Sequence, residues 1–369
     1  MDLTLTTEQT DLAKTIGSLL DTRFPASALS SPEEPQAATR LWSELADGGW
    51  LGVGAPEDLG GAGGGAIELG IIFRELGRTV APSRYRSAVL TRLLIQALAR
   101  PDQTATLLPE LCTGQRTSTV AFAEVGVEND PALLSTVAAA DGAGWLLSGA
   151  KVFVPDAGSA DLLIIAAQLA DTGSLAFFAI ERQAPGLTVA PRRTFSRDPH
   201  FDIALREVSV DGPALIGDED SSARYLDYRE LVTALTSMEM VGALERVSEI
   251  MITNVTNRSQ FGVPVGSFQA VQHHVANVAI ALAGARLAAW KAVVTGRSGA
   301  AAIAKAAAGR ALRDATVIAH QISGGMGYTT ESPLHRYSER AMAQEIFLGG
   351  WEYQLDRLAA EIGLPGERP

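Results

Sequence analysis

Arg258, Gln260 and Gln269 stand close together in the chain and carry the side chains best suited to holding a phosphorylated ligand. A guanidinium is a permanently charged planar fork that meets two phosphate oxygens at once, and a carboxamide both donates and accepts toward ribose or phosphate oxygens. Farther along, Gln321 opens the run Gln321-Ile322-Ser323-Gly324-Gly325-Met326-Gly327-Tyr328. Paired glycines let a backbone approach a phosphate or an adenine that any Cβ would block. Each feature also has an ordinary structural explanation: Arg258 as a cation at a helix end, Gly324-Gly325 as a helix C-cap. Taken singly, each of these features is better explained by its structural role.

Other chemistry finds no foothold. His273 and His274 are adjacent, so on a helix they point about 100° apart and cannot chelate one metal; a core or interface role is expected for them. No Gly-x-Ser-x-Gly elbow or Walker A loop is present. Gly61-Ala62-Gly63-Gly64-Gly65 lies between helical patterns rather than after a strand, so it reads as a loop. The lone Cys112 has no partner for an internal disulfide and is expected as a small buried apolar residue in a reducing compartment.

Positioning these residues takes a large scaffold, and the composition supplies one. The 369 residues, 47% of them hydrophobic, can bury more than one core. A formal charge of -12 opposes attraction to nucleic acid or an anionic membrane surface. No run of about eighteen uncharged apolar residues and no leader-like N-terminus is seen, which makes a cytoplasmic, soluble protein the expectation.

Three textures follow one another. Over 1–114 apolar residues recur at helical spacing, as with Leu69, Ile72, Phe73 and Leu76. Over 115–220 short apolar runs alternate with turn signals, predicting strands at 119–123, 145–147, 151–154, 162–167, 175–180 and 201–210. Over 221–369 helical spacing returns in long segments, with an Ala-rich helix predicted over 299–320. A surface loop is predicted over 25–35.

Local motifs make that order specific. Leu41-Trp42-Ser43-Glu44-Leu45 is followed by Ala55-Pro56-Glu57-Asp58-Leu59-Gly60-Gly61-Ala62-Gly63. Arg258-Ser259-Gln260-Phe261-Gly262 is followed by Gly266-Ser267-Phe268-Gln269-Ala270-Val271-Gln272-His273. With the 321–328 run, these blocks resemble the flavin-dependent acyl-CoA dehydrogenases over nearly the whole chain. The resemblance implies an α+β fold: a helical N-terminal domain, a central β domain and a C-terminal four-helix bundle. It implies FAD as cofactor, an acyl-CoA thioester as substrate and an electron-transfer flavoprotein or similar acceptor. Arg258, Gln260, Phe268, Gln269, Gln321, Gly324 and Gly325 match positions that hold the adenosine diphosphate half of a neighbouring subunit's FAD.

The same resemblance exposes departures. The family's aromatic-Glu-Gly-Thr turn, which carries the catalytic base, here reads Phe347-Leu348-Gly349-Gly350. Some relatives place the Glu about 25 residues before the Arg-x-x-Phe motif, which lands on Thr233. Glu239 should rotate away from that face, and Glu345 is expected as a solvated residue paired with Arg340. Where Thr-Glu-Pro and Gly-Ser-Asp would cradle the chain's own flavin, this chain has Ala123-Glu124-Val125 and Glu128-Asn129-Asp130, and Trp-Ile-Thr becomes Phe153-Val154-Pro155. Pro155 has no N–H or hydroxyl to donate. The expected function is therefore a non-catalytic subunit, similar to that of actinobacterial α2β2 acyl-CoA dehydrogenases, several of which act on CoA thioesters of sterol side chains. It would lend cofactor contacts to a homologous catalytic subunit. A self-sufficient homotetramer with another base, or a flavin-free acyl-CoA-binding scaffold, are the alternatives.

Overall fold

The computed structural model describes residues 4–29, 31, 33–127 and 130–364. Two compact units form: 1–41 with 66–81 and 230–369, and 42–65 with 82–229. The expected order of helices, sheet and helices is present, and the fold is α+β.

The N-terminal helices are α1 (Thr7–Arg23), α2 (Glu34–Asp47), α3 (Ala66–Thr79), α4 (Ser83–Leu98) and α5 (Pro101–Thr113). Thr6 begins α1 with a capping box, its hydroxyl accepting from the Gln9 N–H while the Gln9 side chain takes the Thr6 N–H. Cys112 is buried in α5 as expected. Glu34 opens α2, so the loop predicted over 25–35 ends there; Ser30 and Pro32 lie outside the described residues.

One sheet holds β1 (Ser118–Ala121), β2 (Val137–Asp141), β3 (Gly144–Pro155), β4 (Leu162–Leu169), β5 (Leu175–Glu181), β6 (Leu187–Arg192), β7 (His200–Asp211) and β8 (Leu215–Ile216). Its order is β6-β7-β3-β2-β4-β5-β8, with β1 parallel to β4. Leu162 to Ala167 are all buried, which is why β4 reads as an unbroken apolar run rather than an alternating one. The strands predicted at 145–147 and 151–154 are one strand, β3, whose pairing with β7 shifts register between Leu147 and Gly149 and again between Lys151 and Val154.

The chain then forms α6 (Ser222–Asn257), a two-stranded turn of β9 (Ser259–Gln260) and β10 (Val263–Pro264), α7 (Gln269–Thr295), α8 (Ser298–Ser323), α9 (Leu334–Ile346) and α10 (Trp351–Glu361). α7 is long and apolar enough to cross a bilayer by length and composition, with 28% of its most apolar window buried. It runs antiparallel to α8, and Ala285, Ala289 and Ala292 are buried small residues on it. α3 crosses α6 backbone to backbone: a Cβ on Gly77 would fall 1.8 Å from the Glu239 carbonyl oxygen, and one on Gly242 1.8 Å from that of Arg74. Arg74 and Arg78 lock the crossing by bonding to Glu245, and Arg78 reaches Glu249 at 2.8 Å.

Candidate dinucleotide site

Arg258 follows the last turn of α6, and its Nη1 donates to the Ser323 carbonyl at the end of α8. The helix-capping explanation therefore holds, because the guanidinium satisfies a carbonyl that α8 cannot pair internally. The same contact aims the guanidinium at Gly324. That residue has φ +60° and ψ -147°, a region essentially restricted to glycine, and a Cβ there would stand 3.1 Å from Nη1. At Gly325 a Cβ would meet open space, so the backbone of this loop is accessible from outside. Asn254 fixes the loop's base by donating to the Ser323 hydroxyl at 2.6 Å.

Antiparallel α7 and α8 bring the start of the first beside the end of the second. The short β9–β10 turn, closed by the Val265 N–H on the Arg258 carbonyl at 2.8 Å, leads directly into α7. Phe268 is the N-cap residue of α7 and makes no side-chain cap, so the first N–H groups of that helix are left facing outward at the positive end of its dipole. The Phe268 ring meets Phe261 edge-on, 6.1 Å between centroids. Gln260, Gln269 and Gln321 are exposed around this corner. A guanidinium, uncapped helix N–H groups and a glycine loop with no Cβ are a donor set that fits a diphosphate.

The positions expected for a base hold no carboxylate. Leu348 sits at φ +61°, and its turn is firmly built: the Leu348 carbonyl accepts from Gln354 Nε2 at 2.6 Å, and Lys305 Nζ donates to the Glu345 and Gly349 carbonyls at 3.0 and 3.2 Å. Burial pushes the Lys305 ammonium down to about 8. Thr233 is fully buried on α6. Glu239 is also buried, and it is this residue, not Glu345, that pairs with Arg340, at 3.2 Å. Glu345 is not solvated as expected: its side chain is 13% exposed, packs near Gly309 and meets Arg313 at 3.5 Å. α9 turns its Arg340 and Glu345 to different neighbours, five positions being far from a whole number of turns. His273, expected in a core or interface, is exposed on α7 of this chain.

In the sheet unit the departures have structural occupants. Glu124 accepts from Lys151 Nζ at 2.6 Å, from the Ser135 N–H at 2.6 Å and from the Thr136 N–H at 3.0 Å. Burial alone would raise the Glu124 pKa, but the Lys151, Ser135 and Thr136 hydrogen bonds outweigh it and hold the carboxyl at about 2. Phe153 has φ +53° at the second register shift of β3 and stacks under the Arg192 guanidinium at 4.9 Å. The Pro155 carbonyl accepts from the Thr119 hydroxyl at 2.7 Å. Glu128 and Asn129 lie outside the described residues.

Lys305, Gln354 and His320 escaped the sequence reading. The available signal for the first was a single lysine inside an alanine-rich helix, where a charge has no reason to be unless it is anchored. His320 donates through Nδ1 to the Gly327 carbonyl at 2.8 Å.

Comparison with known proteins shows the family of the chain. Residues 6–115, 119–208 and 233–363 match the N-terminal, middle and C-terminal domains of acyl-CoA dehydrogenases. Acyl-CoA dehydrogenase FadE27 of Mycobacterium tuberculosis is 31% identical over 378 residues, covering 96% of this chain and 97% of the relative. The ChsE4-ChsE5 complex of Mycobacterium tuberculosis superposes with a TM-score of 0.88 at 28% identity, over the full length of both chains. The steroid ACAD Tcur3481-Tcur3483, in a variant form, gives 0.84 at 32% identity, over 96% of this chain and 97% of that one. With identity above three in ten carried along nearly all of both sequences, this chain belongs to the acyl-CoA dehydrogenase family.

Proposed function

We propose that this chain is the non-catalytic subunit of an α2β2 acyl-CoA dehydrogenase that oxidises an acyl-CoA thioester to the 2,3-enoyl-CoA. The observation that carries the reading is the Phe347-Leu348-Gly349 turn, built as a scaffold yet holding a leucine. FAD is the cofactor of this family and, when bound, accepts the hydride from the substrate's β-carbon. This chain's part is to bind. Arg258 would supply a charge to the diphosphate of a partner's cofactor, the Gly324-Gly325 backbone would let that diphosphate approach, and Gln260, Gln269, Gln321 and Phe268 would help to hold it. The proton at the α-carbon would be removed by a carboxylate of the homologous catalytic subunit. Relatives described as a ChsE4-ChsE5 complex and a steroid ACAD favour a sterol-derived acyl group and a two-gene assembly. An electron-transfer flavoprotein or a similar carrier would take the electrons.

The test is flavin content. Arg258→Ala should lower the flavin bound per co-expressed complex, because a charge-assisted contact is worth about 1.5–3 kcal/mol, roughly tenfold to a hundredfold in affinity. Since Arg258 also caps α8, Arg258→Lys serves as the control that keeps a cation there. Equal flavin absorbance in wild type and Arg258→Ala would remove the cross-subunit role. Flavin in the chain purified alone would favour the self-sufficient enzyme, and none in any preparation would favour a flavin-free scaffold.

Assembly is the second expectation. On α7, Ile280, Leu287 and Val294 are 72%, 59% and 40% exposed at seven-residue spacing, and Val317 on α8 is 62% exposed. Such a row recurs every two turns and needs a cover. We expect a tetramer with the partner subunit, and sedimentation of a stable monomer at micromolar concentration would rule it out.

A further inference from the structure

Gly324–Tyr328 form a short 3-10 helix that is poor in side chains, and glycines lose more freedom on ordering than any other residue. Its own i→i+3 bonds hold the middle of this short helix, and side chains from outside hold the carbonyls at its two ends. One end is fixed by Arg258 on the Ser323 carbonyl. His320, one turn back along α8, fixes the other end.

The imidazole is nearly buried and touches three groups. Nδ1 lies 2.8 Å from the Gly327 carbonyl oxygen, Nε2 lies 2.7 Å from the Ser338 hydroxyl, and the ring stacks on Tyr328 with 4.8 Å between centroids and 25° between planes. A carbonyl oxygen can only accept, so Nδ1 carries the proton. Nε2 is then the acceptor, and the Ser338 hydroxyl, which also lies 3.2 Å from the Leu334 carbonyl, turns its one proton to the closer imidazole nitrogen. Burial draws the imidazole pKa down, in keeping with a neutral ring. Tyr328 is exposed on its outer side, so the histidine is what holds that ring in place from beneath.

Resting on the trans-dinucleotide reading above, we propose that His320 is a positioning residue for that site: by holding the Gly327 carbonyl and the Tyr328 ring, it keeps the Gly324-Gly325 backbone in the shape that receives a dinucleotide's diphosphate. It acts through the loop and does not touch the ligand. Gly327 itself leaves no latitude, since a Cβ there would stand 2.8 Å from Ser323 Cβ. Gly327 therefore packs directly on the end of α8, within the same short 3-10 helix as Gly324 and Gly325.

The experiment uses the co-expressed complex, stripped of flavin and titrated with FAD, together with amide hydrogen exchange over residues 324–328 of this subunit. His320→Leu removes the donor while keeping bulk; His320→Asn keeps an N–H able to reach toward the Gly327 carbonyl. His320→Leu should speed exchange in the loop and raise the FAD dissociation constant about 2- to 10-fold, the usual worth of one hydrogen bond. His320→Asn should recover most of both changes. Faster exchange with an unchanged dissociation constant would overturn the positioning role and leave the contact purely structural. An unchanged exchange rate in His320→Leu, or no recovery with His320→Asn, would also overturn it. Failure of the cofactor reading itself would show separately, as indifference of flavin binding to Arg258→Ala.

Discussion

Purified alone and supplied with FAD, this chain is expected to oxidise a saturated acyl-CoA about 10²–10⁴-fold more slowly than a family member that carries its base, the usual cost of losing a general base. Thioester α-protons are too weakly acidic to leave without a positioned carboxylate. Leu348 and Thr233 supply none, and the acids closest to them in sequence are engaged elsewhere: Glu345 with Arg313, Glu239 with Arg340 and Glu230 with Arg357. A dye-reduction assay on the isolated chain decides the matter. A rate like that of an ordinary dehydrogenase would mean that a base has been overlooked, and the non-catalytic assignment would fall. A slow isolated chain together with a fast co-expressed complex is the expected pair of results.

The largest stability effect is expected from Lys151→Met. The Lys151 and Glu124 side chains are 0% and 3% exposed and meet at 2.6 Å, so removing the ammonium strands a carboxylate away from water. Breaking a buried pair by deleting one partner typically costs about 3–5 kcal/mol. Glu124 also receives two backbone N–H groups, at Ser135 and Thr136, and the loss should loosen the segment that returns the chain into β2. The pH dependence adds an independent reading. Because the folded Glu124 carboxyl titrates at about 2, below its ordinary value of 4.5, its stabilisation is complete above pH 4.5 and is lost as pH falls from there toward 2. Burial also lowers the Lys151 ammonium, to about 8 from 10.5, against the opposing pull of the Glu124 hydrogen bond. Denaturant unfolding at several pH values should show the acid loss flattened in Lys151→Met. An unfolding curve and acid limb indistinguishable from wild type would show that the pair contributes nothing.

Much of this was legible in the residues, and the failures are instructive. The alanine-rich α8 and the apolar β4 and β5 lie where the patterns predict, because each is long or uniformly buried and its period is unambiguous. β2 was missed since Val137-Ala138-Ala139-Ala140-Asp141 has a helix former at its centre, and only pairing with β3 and β4 makes it a strand. β6 was missed for Pro191, which is tolerated because β6 lies at the sheet's edge. At the site, Arg258 and Gly324 could be read as a pair from motif spacing. Their mutual contact through Ser323 could not, since it depends on the antiparallel return of α8. The misassigned partner of Arg340 failed for a related reason: proximity along one helix says little about which neighbouring helix each side chain meets.

The crossing of α3 with α6 at Gly77 and Gly242 bears on how the chain is made. Its two halves are separated in sequence by the whole of 82–229, which closes as a unit of its own with 42–65. During synthesis from the N-terminus, α3 emerges with the apolar Leu69, Ile72, Phe73 and Leu76 and must wait for α6 before the glycine contact can form. Contacts so distant in sequence close slowly, and an exposed helix face is a hazard meanwhile. The sheet, complete before α6 is finished, is thus the part of the chain that folds on local terms. The helical unit, whose halves lie on either side of it in sequence, can close only after α6 has been made.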